Sequence, residues 1–270
     1  MRTRATFAAL TAVAALGGLA APAAHADEVR GDIRITDVVI NGGKNIVADA
    51  TTPETVTVSV TATDPTGIHD ARVELWRGAD WANPDAVILP DQDLADCVPA
   101  GDTAATCSLT VTLDQYRWLQ NSDAGTWKVS VWAWAEGDGY AFQEARTTTR
   151  LQRHSKLTAN ASPEPVKKGA TLTVSGNLTR ANWDTQVYAG YTNQPVKLQF
   201  RKAGTDTYST VKTVYTGSGG ALKTTVTASA DGYWRWNFAG TSTTPAAKAT
   251  GDHRLGQDPR PDHAPAGARS

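Results

Sequence analysis

The chain has 270 residues and a mass of 28.6 kDa, with 40% hydrophobic and 20% charged residues, a composition typical of globular proteins and unlike that of disordered or fibrous ones. Abundant Thr, Val, Gly and Pro residues favour strands and turns over helices. The formal net charge is only −1, but it conceals an acidic first half and a basic second half.

The N-terminus has the pattern of a secretory signal peptide. Arg2 and Arg4 form a basic end, residues 7–21 are uncharged and rich in Ala and Leu, and the sequence AHA at 24–26 matches the small-x-small cleavage pattern. An apolar run of about 15 residues is too short to span a bilayer. We therefore predict that residues 1–26 are removed and that the mature protein is secreted, water-soluble and without a membrane span.

Residues 27–152 are predicted to form one acidic, immunoglobulin-like β-sandwich. Apolar and polar residues alternate at 55–63, which is typical of a half-buried strand, and the same period recurs at 73–75, 107–113 and 127–131. Turn signals rich in Gly, Asn, Asp and Pro separate these runs. About seven short strands in this length fit an antiparallel sandwich.

A second, basic sandwich is predicted for residues 153–250. Its strand signals lie at 172–178, 196–200, 211–215, 222–226 and 234–238. Gly-rich segments and an Asp-Gly pair supply hairpin turns between them. The predicted fold class is therefore all-β, with two consecutive immunoglobulin-like antiparallel β-sandwiches after the signal peptide. Residues 251–270 lack apolar periodicity and are predicted to be disordered.

The mature chain contains two cysteines, Cys97 and Cys107, ten positions apart. Because the leader directs them to an oxidising compartment, we predict that they form one disulfide. A disulfide that closes so short a loop restrains only a local segment of the chain and does not hold a domain together.

The charge distribution bears on the class of partner. Residues 27–152 carry 20 Asp and Glu against nine Lys and Arg, whereas residues 153–270 carry seven against 15. A basic module favours an anionic cell-wall polymer or polysaccharide, although mutual attraction of the two halves explains the same asymmetry. Nucleic acid is not expected, because the protein is exported and the basic half shows no interleaved exposed aromatic residues. The oligomeric state is not predictable from the sequence.

Catalytic motifs are missing from the sequence. It contains no GxSxG, P-loop, HExxH or strand-to-helix GxGxxG. Only His69 lies in a segment that suits a catalytic site, and a lone loop histidine is usually solvated surface. We therefore predict a non-enzymatic protein, with a hydrolase dependent on His69 as the remote alternative.

Calcium is the cofactor that the acidic half favours, because Ca²⁺ takes six to eight oxygen ligands from carboxylates, carbonyls and water. Asp64, Asp70 and Asp138 lie in strand-connecting loops that converge at one end of a sandwich. They form our candidate metal site. Solvated surface carboxylates explain the same residues without a metal.

Tryptophan gives the alternative functional signal. On the strand around 126–135, Trp132 and Trp134 fall on the face opposite Trp127, about 7 Å apart. Two indoles at this spacing could stack sugar rings, which predicts a carbohydrate-binding module. Coverage of the two rings by Trp118 or by the second domain is the competing interpretation, since exposed apolar patches are rare without a partner.

Three segments carry a family resemblance: LQRHSKLTANASPEPVKKGATLTVSGNLTRANW at 151–183, YAGYTNQPVKLQFRKAGTDTYSTVKT at 188–213 and DGYWRWNFAGTSTTPAAKATGD at 231–252. They resemble a family of secreted actinomycete proteins with two immunoglobulin-like domains, many uncharacterised and often labelled calcium-binding proteins. In the first half the resemblance is limited to NSDAGTW at 121–127 and the paired cysteines. It implies calcium binding and assigns no ligand residue.

The C-terminus departs from that family. Its members continue after the GD at 251–252 with a short hydrophobic closing strand, whereas this chain continues with HRLGQDPRPDHAPAGARS. We therefore expect the second sandwich to lack its last strand and to leave an open sheet edge.

Overall fold

A computed structural model describes residues 27–254 of the chain. The predicted signal peptide, 1–26, and residues 255–270 of the predicted tail lie outside the described residues. Apart from short 3-10 turns, the regular structure of the described part is all strand.

Ten of the described strands build the first half: β1 Glu28–Arg30, β2 Arg34–Ile40, β3 Ile46–Ala48, β4 Glu54–Thr63, β5 Ile68–Arg77, β6 Ala86–Ile88, β7 Asp96–Pro99, β8 Ala104–Leu113, β9 Gly125–Ala135 and β10 Tyr140–Arg153. One sheet has the order β2-β4-β8-β7, and the other has the order β1-β10-β9-β5-β6 with β3 parallel to β10. The first is the ABED order of an immunoglobulin domain, and β5, β9 and β10 take the places of its strands C, F and G. The predicted fold class is confirmed for this half.

Alternation along β4 and β8 explains why these segments face each other across the sheet. Val58 lies opposite Leu109 and Val60 opposite Cys107, and all four side chains are buried in the core. On the outer face Ser59 and Ser108 are within hydrogen-bonding distance, with their hydroxyl oxygens 3.2 Å apart. The period of two that the sequence shows therefore separates core from solvent, as expected for an antiparallel sheet with one wet face.

The second half also contains ten described strands: β11 Ser155–Leu157, β12 Asn160–Ser162, β13 Thr171–Asn182, β14 Val187–Gly190, β15 Pro195–Lys202, β16 Ser209–Tyr215, β17 Ala221–Thr227, β18 Gly232–Phe238, β19 Ala247–Lys248 and β20 Asp252–Arg254. The central strand β13 pairs with β12 and β17 and, further along, with β11 and β14. The facing sheet has the order β16-β15-β18, with β19 and β20 both paired to β18. A second antiparallel sandwich is therefore confirmed.

Aromatic rings fill the core of the second sandwich. Trp234, Trp236 and Phe238 share the inner face of β18 and are at most 4% exposed. Gly176 on β13 leaves room for one of them, because a Cβ at this position would lie 2.7 Å from Cδ1 of Trp236 and 2.3 Å from a backbone oxygen of Thr158. The glycine is therefore needed for close packing and not for a turn.

The structure differs from the sequence prediction at the C-terminus. Asp252–Arg254 form β20 on the edge of β18, and Oδ2 of Asp252 accepts a 2.8 Å hydrogen bond from the backbone N–H of Ala161. The predicted loss of the closing strand is therefore wrong for these three residues. They belong to the sheet although the sequence there is not hydrophobic, because backbone pairing and one carboxylate hold them.

A junction made by Asp49, His154, Trp183 and Tyr188 joins the two sandwiches. β10 continues into β11 with only His154 between them. Trp183, in the turn after β13, is 1% exposed and belongs to the hydrophobic core of the first sandwich. Its indole Nε1 donates to the carbonyl oxygens of Ala48 and Asp49. The boundary at residue 152 remains a prediction, and the first core draws on residues beyond it.

Candidate functional site

The candidate site is the outer face of β5, β9 and β10 in the first sandwich, here called the aromatic face. Trp132 of β9 lies between Arg72 of β5 and Phe142 of β10 in the strand register. Trp134 lies in the same way next to Asp70 and Tyr140. Because side chains on one face of a sheet repeat every second residue, all these groups project to the same side.

Three aromatic side chains form the centre of this face. The rings of Trp132 and Phe142 are stacked, with centroids 4.7 Å apart and an interplanar angle of 26°. Trp81, from the segment between β5 and β6, lies tilted against both, at 5.7 Å from Trp132 and 5.1 Å from Phe142. Trp81 and Trp132 remain partly exposed, whereas Phe142 is buried beneath them. The result is an apolar platform open to solvent on one side.

A second aromatic pair extends the platform along the strands. Trp134 and Tyr140 lie with ring centroids 5.9 Å apart, and both are partly exposed. Burial and the negative charge of Glu28 raise the pKa of Tyr140, so its hydroxyl stays protonated at neutral pH and can donate a hydrogen bond.

Polar groups surround the aromatic face. The guanidinium carbon of Arg72 lies 5.5 Å from the centroid of Trp132, and Nη2 donates a 2.6 Å hydrogen bond to Oε1 of Glu74. At the other end, Nδ1 of His69 is 2.7 Å from Oδ2 of Asp70. Aromatic rings bordered by hydrogen-bonding groups are the composition expected of a ligand-binding surface.

A buried layer below the bulge of β10 gives the face a rigid base. The register between β10 and β9 shifts between Gln143 and Thr147, and the carbonyl oxygen of Glu144 there accepts hydrogen bonds from Trp76 Nε1 at 3.0 Å and Ser130 Oγ at 2.6 Å. Nζ of Lys128 lies 4.1 Å from the centroid of the fully buried Trp76 ring. The bulge therefore covers Trp76 and does not extend over Trp132 and Trp134.

The predicted alternation of the tryptophans holds, and the two rings are partly covered by side chains other than Trp118. Trp127 is 1% exposed and faces the core, whereas Trp132 and Trp134 lie on the opposite face. Trp118, which with the second domain was one of the two covers considered, lines a different cavity together with Trp183. The partial cover comes from Trp81 and Phe142. Sequence reasoning missed both, because Phe142 meets Trp132 through long-range strand pairing and Trp81 reaches it from the segment between β5 and β6.

In the structure, each of the three predicted calcium ligands has a different interaction partner. Oδ1 of the buried Asp64 accepts hydrogen bonds from the backbone N–H and the hydroxyl of Thr66, at 2.8 and 2.6 Å. Asp70 pairs with His69. Asp138 has a fully exposed side chain with Oδ2 3.8 Å from Nη2 of Arg30. Within residues 27–254, no group of three or more His, Cys, Asp or Glu side chains is arranged to hold a metal ion.

Two of these carboxylates nevertheless line one surface cavity. Asp64 and Asp138 surround it together with Asp32 and Arg30. Asp70 does not line it, since its side chain belongs to the aromatic face. The guanidinium of Arg30 supplies a positive charge inside the cavity, which disfavours a cation there.

The predicted disulfide is present. Cys97 of β7 and Cys107 of β8 are bonded and lie directly opposite each other in the ladder, with Cα atoms 3.8 Å apart. An immunoglobulin domain typically joins its two sheets through strands B and F. Here the bond instead ties the edge strand β7 to its neighbour within one sheet.

Comparisons with known proteins identify a similarity and no activity. Residues 41–133 match the model of a family of unknown function (DUF5707). The match covers most of the first sandwich and ends within β9, after Trp132 and before Trp134. A comparison with curated proteins found no match.

Among solved structures, a chimeric titin Z1Z2 carrying a KLER peptide from decorin is 11% identical, with 83% of this chain and 99% of that chain covered and a TM-score of 0.25. The D00-D0 domain of intimin is 14% identical, with coverages of 81% and 100% and a TM-score of 0.27. The mouse nectin-like molecule 4 ectodomain is 12% identical, with coverages of 82% and 64% and a TM-score of 0.25. Likenesses this weak carry no argument about function, and the fold assignment rests on strand order.

No helix within residues 27–254 has the length and apolar character to cross a membrane.

Proposed function

We propose that this chain is a secreted, non-enzymatic binding protein and that the aromatic face of its first sandwich binds carbohydrate. The observation that carries the proposal is the continuous, partly exposed row of Trp81, Trp132, Trp134 and Tyr140 on one sheet face. Aromatic rings supply large apolar contact area at little conformational cost, and sugar rings present apolar C–H faces to such rings.

Two further features support the extracellular part of the proposal. The leader at 1–26 has the three parts of a secretory signal peptide. The Cys97–Cys107 disulfide requires an oxidising environment to persist. Both features support exposure of the aromatic face to the polysaccharides of a cell envelope or of the surroundings.

The experiment compares the mature protein with Trp132→Ala and Trp134→Ala variants for retention on insoluble cell-wall polysaccharide and for quenching of Trp fluorescence by soluble β-glucan. We expect each substitution to weaken binding about tenfold, since aromatic stacking contributes about 1 to 3 kcal/mol per ring. Trp118→Ala is the matched control, because Trp118 is 39% exposed and lies away from the aromatic face. Equal binding by all four proteins would reject the proposal.

Calcium binding is a second proposal, motivated by the acidic sequence of the first half; Asp64 and Asp138 share one cavity with Asp32, against the positive charge of Arg30. Its test is a thermal melt in chelator and then in about 2 mM Ca²⁺. A site with a dissociation constant of about 0.1 mM adds about 1.8 kcal/mol of stability. A rise in Tm that Mg²⁺ does not reproduce and that Asp64→Asn removes would support calcium. An unchanged Tm would reject it, and Asp93→Asn, an exposed carboxylate on another loop, serves as the control.

A further inference from the structure

The outer face of β15 and β18 in the second sandwich carries alternating tyrosine and arginine side chains, here called the Tyr–Arg ladder. It consists of Arg201 of β15, Tyr233 and Arg235 of β18, and Tyr208 from the segment just before β16. The guanidinium carbon of Arg201 lies 4.0 Å from the centroid of Tyr233 and 5.4 Å from that of Tyr208, and that of Arg235 lies 3.6 Å from Tyr208. The rings hold two guanidinium groups close together on one sheet face.

Hydrogen bonds fix the orientation of both arginines. Nε of Arg235 donates a 2.9 Å hydrogen bond to Oε1 of Gln199, which is 9% exposed. Nη1 of Arg201 donates to the carbonyl oxygen of Thr205. Positioned guanidinium groups lose less side-chain entropy when a ligand binds than mobile ones do.

More positive charge surrounds the ladder. The strand register places Lys197 opposite Asn237 and Asn237 opposite Lys248, so both lysines project to the same face as Arg235. Lys197 and Lys248 are exposed. The four cations lie within about 13 Å along the strands and about 10 Å across them. Asp206, which is fully exposed, approaches Arg201 only to 4.0 Å.

We propose that the Tyr–Arg ladder binds a linear polymer of phosphate groups. Charge complementarity carries the inference, because four cations on one face match repeated anionic groups spaced along a chain. Arginine presents a planar fork that bonds two phosphate oxygens at once, which selects phosphate over a diffuse negative surface. The tyrosine rings already carry guanidinium groups at 3.6 and 4.0 Å, so they do not offer the open stacking platform that single-stranded nucleic acid uses.

This site is separate from the aromatic face, and the two proposals fail independently. Trp132 and Trp134 belong to the first sandwich, whereas the ladder belongs to the second. A Trp132→Ala variant should therefore keep phosphate-polymer binding, and a ladder variant should keep carbohydrate binding.

The experiment measures binding of the mature chain to long-chain inorganic polyphosphate at about 50 mM and about 500 mM NaCl. We expect the double variant Arg201→Gln/Arg235→Gln to lose about tenfold or more in affinity at low salt. The matched control is Lys167→Gln/Lys223→Gln, which removes the same charge from exposed positions on other parts of the second sandwich and should change affinity less than about twofold.

Each other outcome overturns the proposal. Equal losses in both double variants would mean non-specific attraction to a basic domain, and no loss in either would mean that the ladder is structural. Tighter binding of poly-dT than of polyphosphate at equal phosphate concentration would favour nucleic acid. If the Arg double variant does not fold, Lys197→Gln/Lys248→Gln replaces it, because these lysines leave the Tyr–Arg contacts intact; unchanged affinity there would also contradict the proposal.

Discussion

Trp183 is the side chain through which the second sandwich contributes to the core of the first. It is 1% exposed among first-sandwich residues and donates its indole N–H to the carbonyl oxygens of Ala48 and Asp49. Around it, Asn121 donates from its backbone N–H to Oδ1 of Asp184, at 2.9 Å. A buried indole with satisfied hydrogen bonds stabilises the junction more than any surface contact can.

Replacing Trp183 with Ala should therefore destabilise the protein by about 3 to 5 kcal/mol, because the substitution leaves a cavity and removes the indole donor from the carbonyl oxygens of Ala48 and Asp49. Urea denaturation monitored by circular dichroism measures the change. Trp118→Ala provides the comparison, since a 39% exposed indole should cost less than about 1 kcal/mol. Similar losses in the two variants would contradict the anchoring role of Trp183.

Asp49 gives the junction an acid-sensitive contact. The hydroxyl of Tyr188 donates to Oδ2 of Asp49 and lies 2.6 Å from Nδ1 of His154. Burial raises the pKa of Asp49, but hydrogen bonds from Tyr188 and Thr51 more than offset it, and the net pKa is lowered. Burial and the bond to Asp49 raise the pKa of Tyr188, so the phenol stays protonated as the donor.

A carboxyl whose folded pKa lies below its unfolded value of about 3.9 stabilises the fold above that pH, and the contribution is lost as pH falls through the folded pKa. We therefore expect the Tm of the native protein to fall more between pH 5 and about pH 3 than that of Asp49→Asn. Other carboxylates titrate in both proteins, so the difference between their curves isolates Asp49. Parallel curves would show that Asp49 contributes no pH dependence.

At the scale of the strand, β10 shows what the sequence pattern can and cannot predict. Strands such as β4 and β18 follow a strict period of two, because one face is core and the other is wet, and they were predictable. β10 has a bulge between Gln143 and Thr147 and pairs with β9, β1 and β3, so its sequence alternates poorly. The prediction missed this strand and therefore missed Phe142 in the aromatic face.

The same limit applies to the loops. The sequence predicts that Asp64, Asp70 and Asp138 follow or precede strands. The directions in which their side chains point depend on turn geometry. Oδ1 of Asp64 accepts hydrogen bonds from its own turn, and the bulge near Ile68 in the β5 register directs Asp70 to the aromatic face. Trp132 and Trp134 were predictable as a pair because they belong to one regular strand.

The disulfide between β7 and β8 stabilises one edge of a sheet. Replacing both cysteines with Ala should lower the free energy of unfolding by about 2 to 3 kcal/mol, because a ten-residue loop is no longer closed in the unfolded chain. The fold should persist, since β7 is an edge strand that stays paired with β8 through backbone hydrogen bonds. Chemical denaturation of the native protein with and without reductant should reproduce the loss, and an unchanged midpoint would contradict this account.

At the scale of the molecule, the two sandwiches share structure and should unfold together. Besides Trp183, Nε of Arg153 donates a 2.6 Å hydrogen bond to the carbonyl oxygen of Ala181, and Nε2 of Gln152 donates to Thr241 at 3.0 Å. Burial and neighbouring Arg180 lower the pKa of Arg153 to about 10, so it remains charged at pH 7. The junction is therefore a continuous set of buried contacts and not a flexible linker.

We predict one calorimetric transition for the mature protein near pH 7, with equal calorimetric and van't Hoff enthalpies. Trp183→Ala should separate it into two transitions, because the substitution removes the large buried side chain that the second half contributes to the core of the first. Two resolved transitions already in the native protein would contradict the coupling.

The position of Trp183 in the chain has a consequence for biosynthesis. Translation delivers the N-terminal half first, and residue 183 follows residue 152 by about 30 positions, a delay of roughly 2 to 6 s at cellular elongation rates. During that interval the strands of the first sandwich have been synthesised, but its core still lacks the Trp183 indole. A message truncated after residue 152 would therefore yield a first half that lacks this indole in its core and is less stable against quality-control proteases.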